Sequence, residues 1–459
     1  MKHAITFWLI FGLALLLACC TVRPKYQRPA VNVPESYYNT APGQAAAASS
    51  LGDEHWWSVF RDAELEKLIR SGLANNFDVK IAASRITEAQ AQVGISRANQ
   101  LPSVSAGPSF TTERLGTFSL TFFQLESLVS WNPDFWGQYR RATEAARANV
   151  LAAEWNRRQI IATLVSNIAI AYFQMRELDN ELAISLSTLA SRRESLALTE
   201  TLANGGAAGL VDVRQAEQLV EEAAETIPDT ERQIGTQEDL ISTLIGDNPH
   251  AIPRGEVLAE QPSPPEVPAG LPSRLLERRP DVQAAEQQLV AATANIGVAR
   301  AAFFPRLPLT GGGGIQSTGL VSLFSGPGAA WNFSAPLTQP IFQGGRLRSN
   351  LRLSEAQQQQ ALLTYQQTIQ TAFRQISDAL LAYRKYREFR EHQGLLTSAA
   401  QDAARLSDLR YRGGAASYLE VLTSQTNWFA AQLNLARAGL NARLSLVQLY
   451  TALGGGWEE

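Results

Sequence analysis

The sequence predicts a mainly α-helical, internally duplicated chain that also carries two β-hairpins. Three observations predict it. A stretch from about 138 to 203 favours helix throughout and contains no proline. The second half of the chain repeats the first at a nearly constant offset. Between the helical stretches lie segments in which apolar and polar residues alternate with period two, the mark of a half-covered strand.

Composition narrows the chemistry first. Basic and acidic residues number 40 and 43, for a net charge of −3, and no basic cluster offers a nucleic-acid surface. The two cysteines are adjacent, Cys19 and Cys20, so a disulfide framework and a cysteine-based metal site are excluded. The four histidines are scattered along the chain, and no metal-ligand or catalytic grouping emerges from them.

The elements follow in order. Lys2 and His3 precede an apolar run from Ile5 to Ala18, too short to span a bilayer but suited to a signal peptide, residues 1–18. The run ends Leu16-Leu17-Ala18-Cys19, which resembles a bacterial lipobox, with Cys19 as the lipidated residue. Ala18 is the small residue expected before the cut, whereas cleavage before Cys20 would place Cys19 there. Residue 20 is not Asp, so the resemblance implies sorting to the outer membrane. Residues 19–50 read as a lipid-anchored extended leader, rich in Pro, Ala and Ser.

Asp78–Pro102 then aligns with Asp281–Pro305 at offset 203, with identities that include Ala82/Ala285, Gly94/Gly297 and Arg97/Arg300. Gly205-Gly206-Ala207-Ala208 matches Gly413-Gly414-Ala415-Ala416 at offset 208. The extra residues lie between Pro305 and the second glycine pair. The duplication divides the chain into a first repeat, 51–260, and a second, 261–459.

In the first repeat a helix over about 76–100 stops at Leu101-Pro102. A β-hairpin covers 103–132, where Phe118, Leu120 and Phe122 alternate with Thr117, Ser119 and Thr121. The following helix spans roughly 100 Å at about 1.5 Å per residue, more than a globular core needs. It breaks at a tip near 204–209, and a return helix over about 210–245 contains Pro228, which should kink it. The second repeat follows the same plan: a helix over about 281–302, a β-hairpin within 306–340 (strands near 306–316 and 329–340), a long helix over about 346–411, a tip near 412–417 and a return helix over about 417–453. Leu419, Leu422, Thr426, Phe429, Leu433, Ala436, Leu440, Leu444 and Val447 predict a heptad-like seam along that last helix.

Two hairpins supply four strands. Four strands cannot close a barrel, and an open edge in lipid leaves backbone groups unpaired. Membrane-inserted strands would therefore require several chains to share one barrel. Gly311–Gly314 is not a phosphate loop, because no Lys-Ser/Thr pair and no helix follows it. Glycine where a strand bends or packs closely fits better. Phe118, Phe122, Phe123, Trp131 and Trp331 suit interfacial girdles, and core packing is an alternative for the two tryptophans.

Several stretches now carry a family resemblance. They are Lys25-Tyr26-Gln27-Arg28-Pro29, Trp56-Trp57 with Phe60-Arg61-Asp62, and Pro268-Ala269-Gly270-Leu271-Pro272-Ser273. Leu275-Leu276-Glu277-Arg278-Arg279-Pro280-Asp281, Ala301-Ala302-Phe303-Phe304-Pro305, Arg410-Tyr411-Arg412-Gly413 and Ala452-Leu453-Gly454-Gly455-Gly456-Trp457 complete them. In that order and spacing the chain resembles TolC-like outer-membrane factors of tripartite efflux systems, in the OprM/NodT lipoprotein branch. The resemblance implies a homotrimer with a 12-stranded β-barrel in the outer membrane and a coiled-coil α-barrel through the periplasm. It implies a passive exit duct for small molecules such as drugs, docked to a periplasmic adaptor and an inner-membrane pump of the resistance–nodulation–division class. It implies no catalysis and no cofactor beyond the lipid on Cys19.

The same resemblance places a periplasmic entrance just after the second tip, at Leu419, Glu420 and Thr423. Relatives carry an acid at one or both of the positions matching Glu420 and Thr423; this chain keeps only the first. Facing carboxylates would favour cations, whereas the plainer reading of Glu420 is a helix-surface charge near a helix start. Leu419 is either a hydrophobic constriction or part of the seam. Gly205, Gly206, Gly413 and Gly414 would form the tips that meet the adaptor, or would serve only to end helices. Two rival classes remain at this point: a coiled-coil structural lipoprotein without a pore, and a secreted enzyme, for which no nucleophile motif or ligand cluster is present. Cargo is not legible, and with only two Met there is no metal-binding ladder.

Overall fold

The computed structural model describes residues 26–39, 50–255, 272–325 and 328–457. The signal peptide, Cys19, much of the leader, Lys25 and Pro268–Leu271 lie outside the described residues.

After a 3-10 turn at Leu51–Asp53, the helices α1 (Trp56–Phe60), α2 (Ala63–Asn75) and α3 (Phe77–Ala98) lead into strands β1 (Ser103–Leu115) and β2 (Phe118–Trp131). Helices α4 (Gln138–Asn204) and α5 (Leu210–Leu244) close the first repeat. The second repeat contains α6 (Pro272–Arg278), α7 (Pro280–Ala301), β3 (Leu309–Ser317), β4 (Ala329–Ser334), α8 (Arg346–Arg412) and α9 (Tyr418–Ala452). The duplication is closest in the helices. α3 and α7 each have 22 residues, α4 and α8 each have 67, and α5 and α9 each have 35.

Local chemistry sets the ends. Arg61 adopts φ 50° and terminates α1. Asp62 then caps α2 by accepting hydrogen bonds from the Glu64 and Leu65 backbone N–H groups. Asn76 does the same for α3, accepting from Asp78 and Val79. α7 opens with Pro280, whose ring presets φ and whose missing N–H is one that the first turn leaves unpaired.

The described residues fall into two compact units, each drawing on both repeats. The first comprises the leader up to Val31, Ser84–Trp155 and Gln283–Thr368. It holds one antiparallel sheet in the order β1-β2-β3-β4. Small residues let α4 and α7 approach closely through Ala145, Ala148, Ala291 and Ala294. Trp136 stacks on Phe304 and donates its indole N–H to the Pro305 carbonyl at 2.7 Å. In the leader, the Tyr26 hydroxyl and the Arg28 guanidinium both donate to the Glu286 carboxylate, at 3.0 and 2.9 Å.

The second unit comprises Asn32–Ala83, Asn156–Val282 and the chain from Ile369 onward. Ile69, Ile161, Ile168, Tyr172, Met175 and Ile241 are fully buried in it. Arg279 explains much of the Arg-Arg-Pro-Asp stretch. Its guanidinium holds both Asp281 oxygens, the Ala452 carbonyl and Gln375 Oε1, and so ties the starts and ends of several helices together.

Two expectations are corrected. The last strand is shorter than 329–340: β4 ends at Ser334, and only an isolated Arg306–Thr338 bridge continues the pairing. Pro336 and Pro340 lack the N–H that a longer ladder needs. The seam of α9 starts elsewhere: Tyr418 and Val421 are buried against Ala216 of α5, and Leu419 is 56% exposed. The heptad pattern used the outer of two apolar rows in those first turns. Phe429, Ala436 and Val447 of the expected seam are buried.

Candidate functional site: sheet faces and helical tips

Residues directly opposite in an antiparallel ladder point to the same face, so the register sorts the sheet into two faces. One face carries Val104, Pro108 and Phe110 on β1, then Phe123, Leu125, Val129 and Trp131 on β2. It continues with Leu309 and Ile315 on β3, then Trp331 and Phe333 on β4. Phe110 packs on Phe123 with ring centroids 5.0 Å apart. The other face carries Ser105, Ser109, Gln124, Glu126, Ser130, Thr310, Gln316, Asn332 and Ser334. Ser109 Oγ donates to Gln124 Oε1 at 3.0 Å across that polar face.

The alternation at Phe118, Leu120 and Phe122 is real but lies on the polar face's parity. Its partners are Leu115, Glu113 and Thr111. There Thr112, Arg114, Ser119 and Thr121 occupy the side that is apolar further along, so the apolar band ends before this turn. Both tryptophans lie on the apolar face. Trp331 is 84% exposed on the apolar face, and Trp131 is partly exposed there and donates to the Gln100 carbonyl. Gly314 has a steric reason: a Cβ there would fall 2.0 Å from the Leu125 carbonyl oxygen.

The two tips share one backbone solution. Gly206 and Gly414 have φ of 78° and 70°. At the first tip Ala207 N–H reaches back to Leu202 O at 2.8 Å, and Gly206 N–H to Ala203 O at 3.0 Å. At the second, Ala415 N–H reaches Arg410 O at 2.8 Å, and Gly414 N–H reaches Tyr411 O at 2.9 Å. This is the paired closure of a helix end by a left-handed glycine. Gly205 and Gly413 would accept a Cβ in ordinary contact. The helix-ending role therefore belongs to the second glycine of each pair.

The side chains at the tips differ. Asp212 Oδ2 accepts from the Gly209 backbone N–H at 3.0 Å and caps α5. Its counterpart Glu420 is bound by Arg410 of α8 at 2.7 Å. The Thr423 hydroxyl donates to the Leu419 carbonyl at 2.9 Å. Leu210 and Val211 are exposed beside the first tip, as Leu419 is beside the second. The return helices α5 and α9 pack together through Ala216, Tyr418 and Val421, with Tyr411 edge-on to Tyr418 at 5.2 Å. The predicted tip and entrance residues thus lie on one pair of adjoining hairpins.

Sequence reading missed the buried charges behind these tips. Arg192 of α4 is 2% exposed, donates to Leu219 O and Glu222, and lies over the Phe429 ring at 4.9 Å. Further along α4, Glu177 and Glu181 are both buried, and Arg437 of α9 donates to Glu181 at 2.8 Å. Burial and then the Glu181 charge push the Glu177 carboxyl up to about 8, against the pull of Arg437. Their i,i+4 spacing put both acids on one helix face, but nothing in the sequence marked that face as buried.

Among the described residues no helix is long and apolar enough to cross a membrane. The family model for outer membrane efflux proteins matches residues 68–247 and 271–455. The chain belongs to this family. It is an outer-membrane efflux channel, as the sheet's two faces suggest. The cation efflux system protein CusC of Escherichia coli K12 is 33% identical over 97% of this chain and 98% of its own length. The outer membrane protein OprJ of Pseudomonas aeruginosa is 35% identical over 97% and 95%. The crystal structure of the open state of the Neisseria gonorrhoeae MtrE outer membrane channel superposes with a TM-score of 0.87 at 30% identity, covering 96% of this chain and 99% of that one. Members of the family are channel proteins rather than enzymes.

Proposed function

We propose that three copies of this chain close a 12-stranded barrel in the outer membrane and form the passive exit duct of a tripartite pump. The observation that carries this is the sheet. It has an apolar face, a polar face, and two edge strands, β1 and β4, each paired on one side only. Three such sheets joined edge to edge would pair β1 of one copy with β4 of the next, put the apolar faces in lipid and leave a polar lumen. A lipid on Cys19 anchors the leader. The tips around Gly205, Gly206, Gly413 and Gly414 meet a periplasmic adaptor. Leu419, Glu420 and Thr423 line the entrance, and an inner-membrane pump supplies the energy, so that the duct itself catalyses nothing.

The full chain purified from membranes and inserted in planar bilayers tests this reading. A trimeric mass with discrete ion conductance is expected. A monomer without conductance favours a structural lipoprotein instead. Glu420→Gln then tests the entrance: reduced cation preference is expected, and unchanged selectivity removes Glu420 from the pore wall.

A further inference from the structure

Level with the apolar band, but on the opposite, polar face, the sheet carries one charged residue, Glu126, near the middle of the Phe123–Trp131 stretch of β2. The positions beside it carry no side chains. Gly107 of β1 and Gly314 of β3 stand directly opposite it, one on each side. The two glycines differ in cause. Gly314 is forced, because a Cβ there would strike the β2 backbone. Gly107 is not, because nothing lies within 4 Å of a Cβ built on it. Along β2 the next residues on the same face are Gln124 and Leu128, and neither is a cation. No described residue forms an ion pair or hydrogen bond with the Glu126 carboxylate.

An ionisable group at membrane depth costs several kcal/mol unless it faces water or a partner. Glu126 has no partner among the described residues, so its place on the polar face of the sheet matters. We propose that Glu126 sets the cation preference of the outer-membrane part of the duct. The inference rests on the trimeric-duct reading above. Three copies put three carboxylates at one height around a water-filled lumen, flanked by glycines that leave them accessible. Fixed charges of one sign in such a wall concentrate counter-ions and select among permeant species. Cations, including cationic organic molecules, are the favoured class there. Glu126 is on β2 and Glu420 on α9, so substitutions at the two positions test the two controls separately.

The test uses the full chain in planar bilayers, reading the K+/Cl− permeability ratio under a salt gradient. Glu126→Gln should lower that ratio about twofold or more at low salt, and Glu126→Lys should lower it further. The effect should shrink at about 1 M salt, where charges are screened within roughly 3 Å. Gly107→Lys supplies a second route that leaves Glu126 in place. The open space at Gly107 admits the side chain, and a cross-strand ion pair should mimic Glu126→Gln. Should Glu126→Gln fail to assemble, Gly107→Lys carries the test alone. Open channels whose low-salt selectivity is unchanged by both substitutions overturn the proposal. Absence of any conductance in the unsubstituted protein overturns the duct reading, and the proposal with it.

Discussion

In the first repeat the hairpin helices run 67 and 35 residues, and in the second they run 67 and 35 again. The strands do not follow: β1 and β2 have 13 and 14 residues, β3 and β4 have 9 and 6. Side chains diverge further. At offset 208, buried Glu177 and Glu181 correspond to Lys385 and exposed Phe389, and the helix-capping Asp212 corresponds to the cross-helix Glu420. Helix length fixes where α5 meets α9, so a change in one hairpin would have to be matched in the other. The side chains meet different neighbours and carry no such constraint. Strand length also differs: β1 and β2 stay paired past the end of the apolar band as far as Leu115 and Phe118, whereas β3 and β4 stop sooner.

The shorter strand pair is the more sensitive to substitution. Gly314→Ala drives a methyl group into the backbone of β2, and little or no assembled protein is expected in membrane fractions, whereas Gly107→Ala on β1 should assemble normally. The tips come next. Gly206→Ala and Gly414→Ala should each cost about 1–2 kcal/mol, because an L side chain is strained at positive φ. Gly205→Ala and Gly413→Ala should be neutral or gain about 0.5 kcal/mol. Thermal melting of all four variants checks whether the tips are equivalent in backbone as well as in sequence.

The buried acids predict a pH effect confined to the first repeat. The folded state raises the Glu177 pKa above its ordinary value, so folding favours the protonated form. Stability from this site is greatest below the ordinary carboxylate range and declines as pH rises towards about 8. Glu177→Gln should flatten that decline in Tm, and Lys385→Gln should leave it intact. The smallest difference lies in the tip charges. Asp212→Ala, which removes a cap, should cost about 0.5–1 kcal/mol. Arg410→Ala breaks a solvent-exposed pair and should cost under about 0.5 kcal/mol.

The longer helices were legible because each favours helix over many residues and is bounded by glycine or proline, whereas the short helices α1, α2 and α6 were not foreseen. α3, α4, α7 and α8 begin and end within a few residues of the positions that Pro102, Gly137, Pro305 and the glycine pairs predict. Which face each strand buries was not legible. Phe118, Leu120 and Phe122 alternate as clearly as the true apolar row, and only the register shows that they lie beyond its end. The α9 seam was displaced for a similar reason. Leu419 and Tyr418 are both apolar, and the choice between them is made by Ala216 on another helix. Glu126 drew no attention in the sequence because its isolation depends on two glycines that are distant in the chain and adjacent only through pairing.

The grip of Tyr26 and Arg28 on Glu286 has a mechanical consequence. Only seven peptide steps separate Cys19 from Tyr26. A fully stretched chain of that length reaches about 25 Å. An acyl group on Cys19 would therefore be held on a short leash whose far end is fixed to α7. Were Cys19 acylated, as proposed, the inner leaflet would have to lie within about 25 Å of Tyr26, and the leader would act as a ruler for how deeply the protein sits in the bilayer.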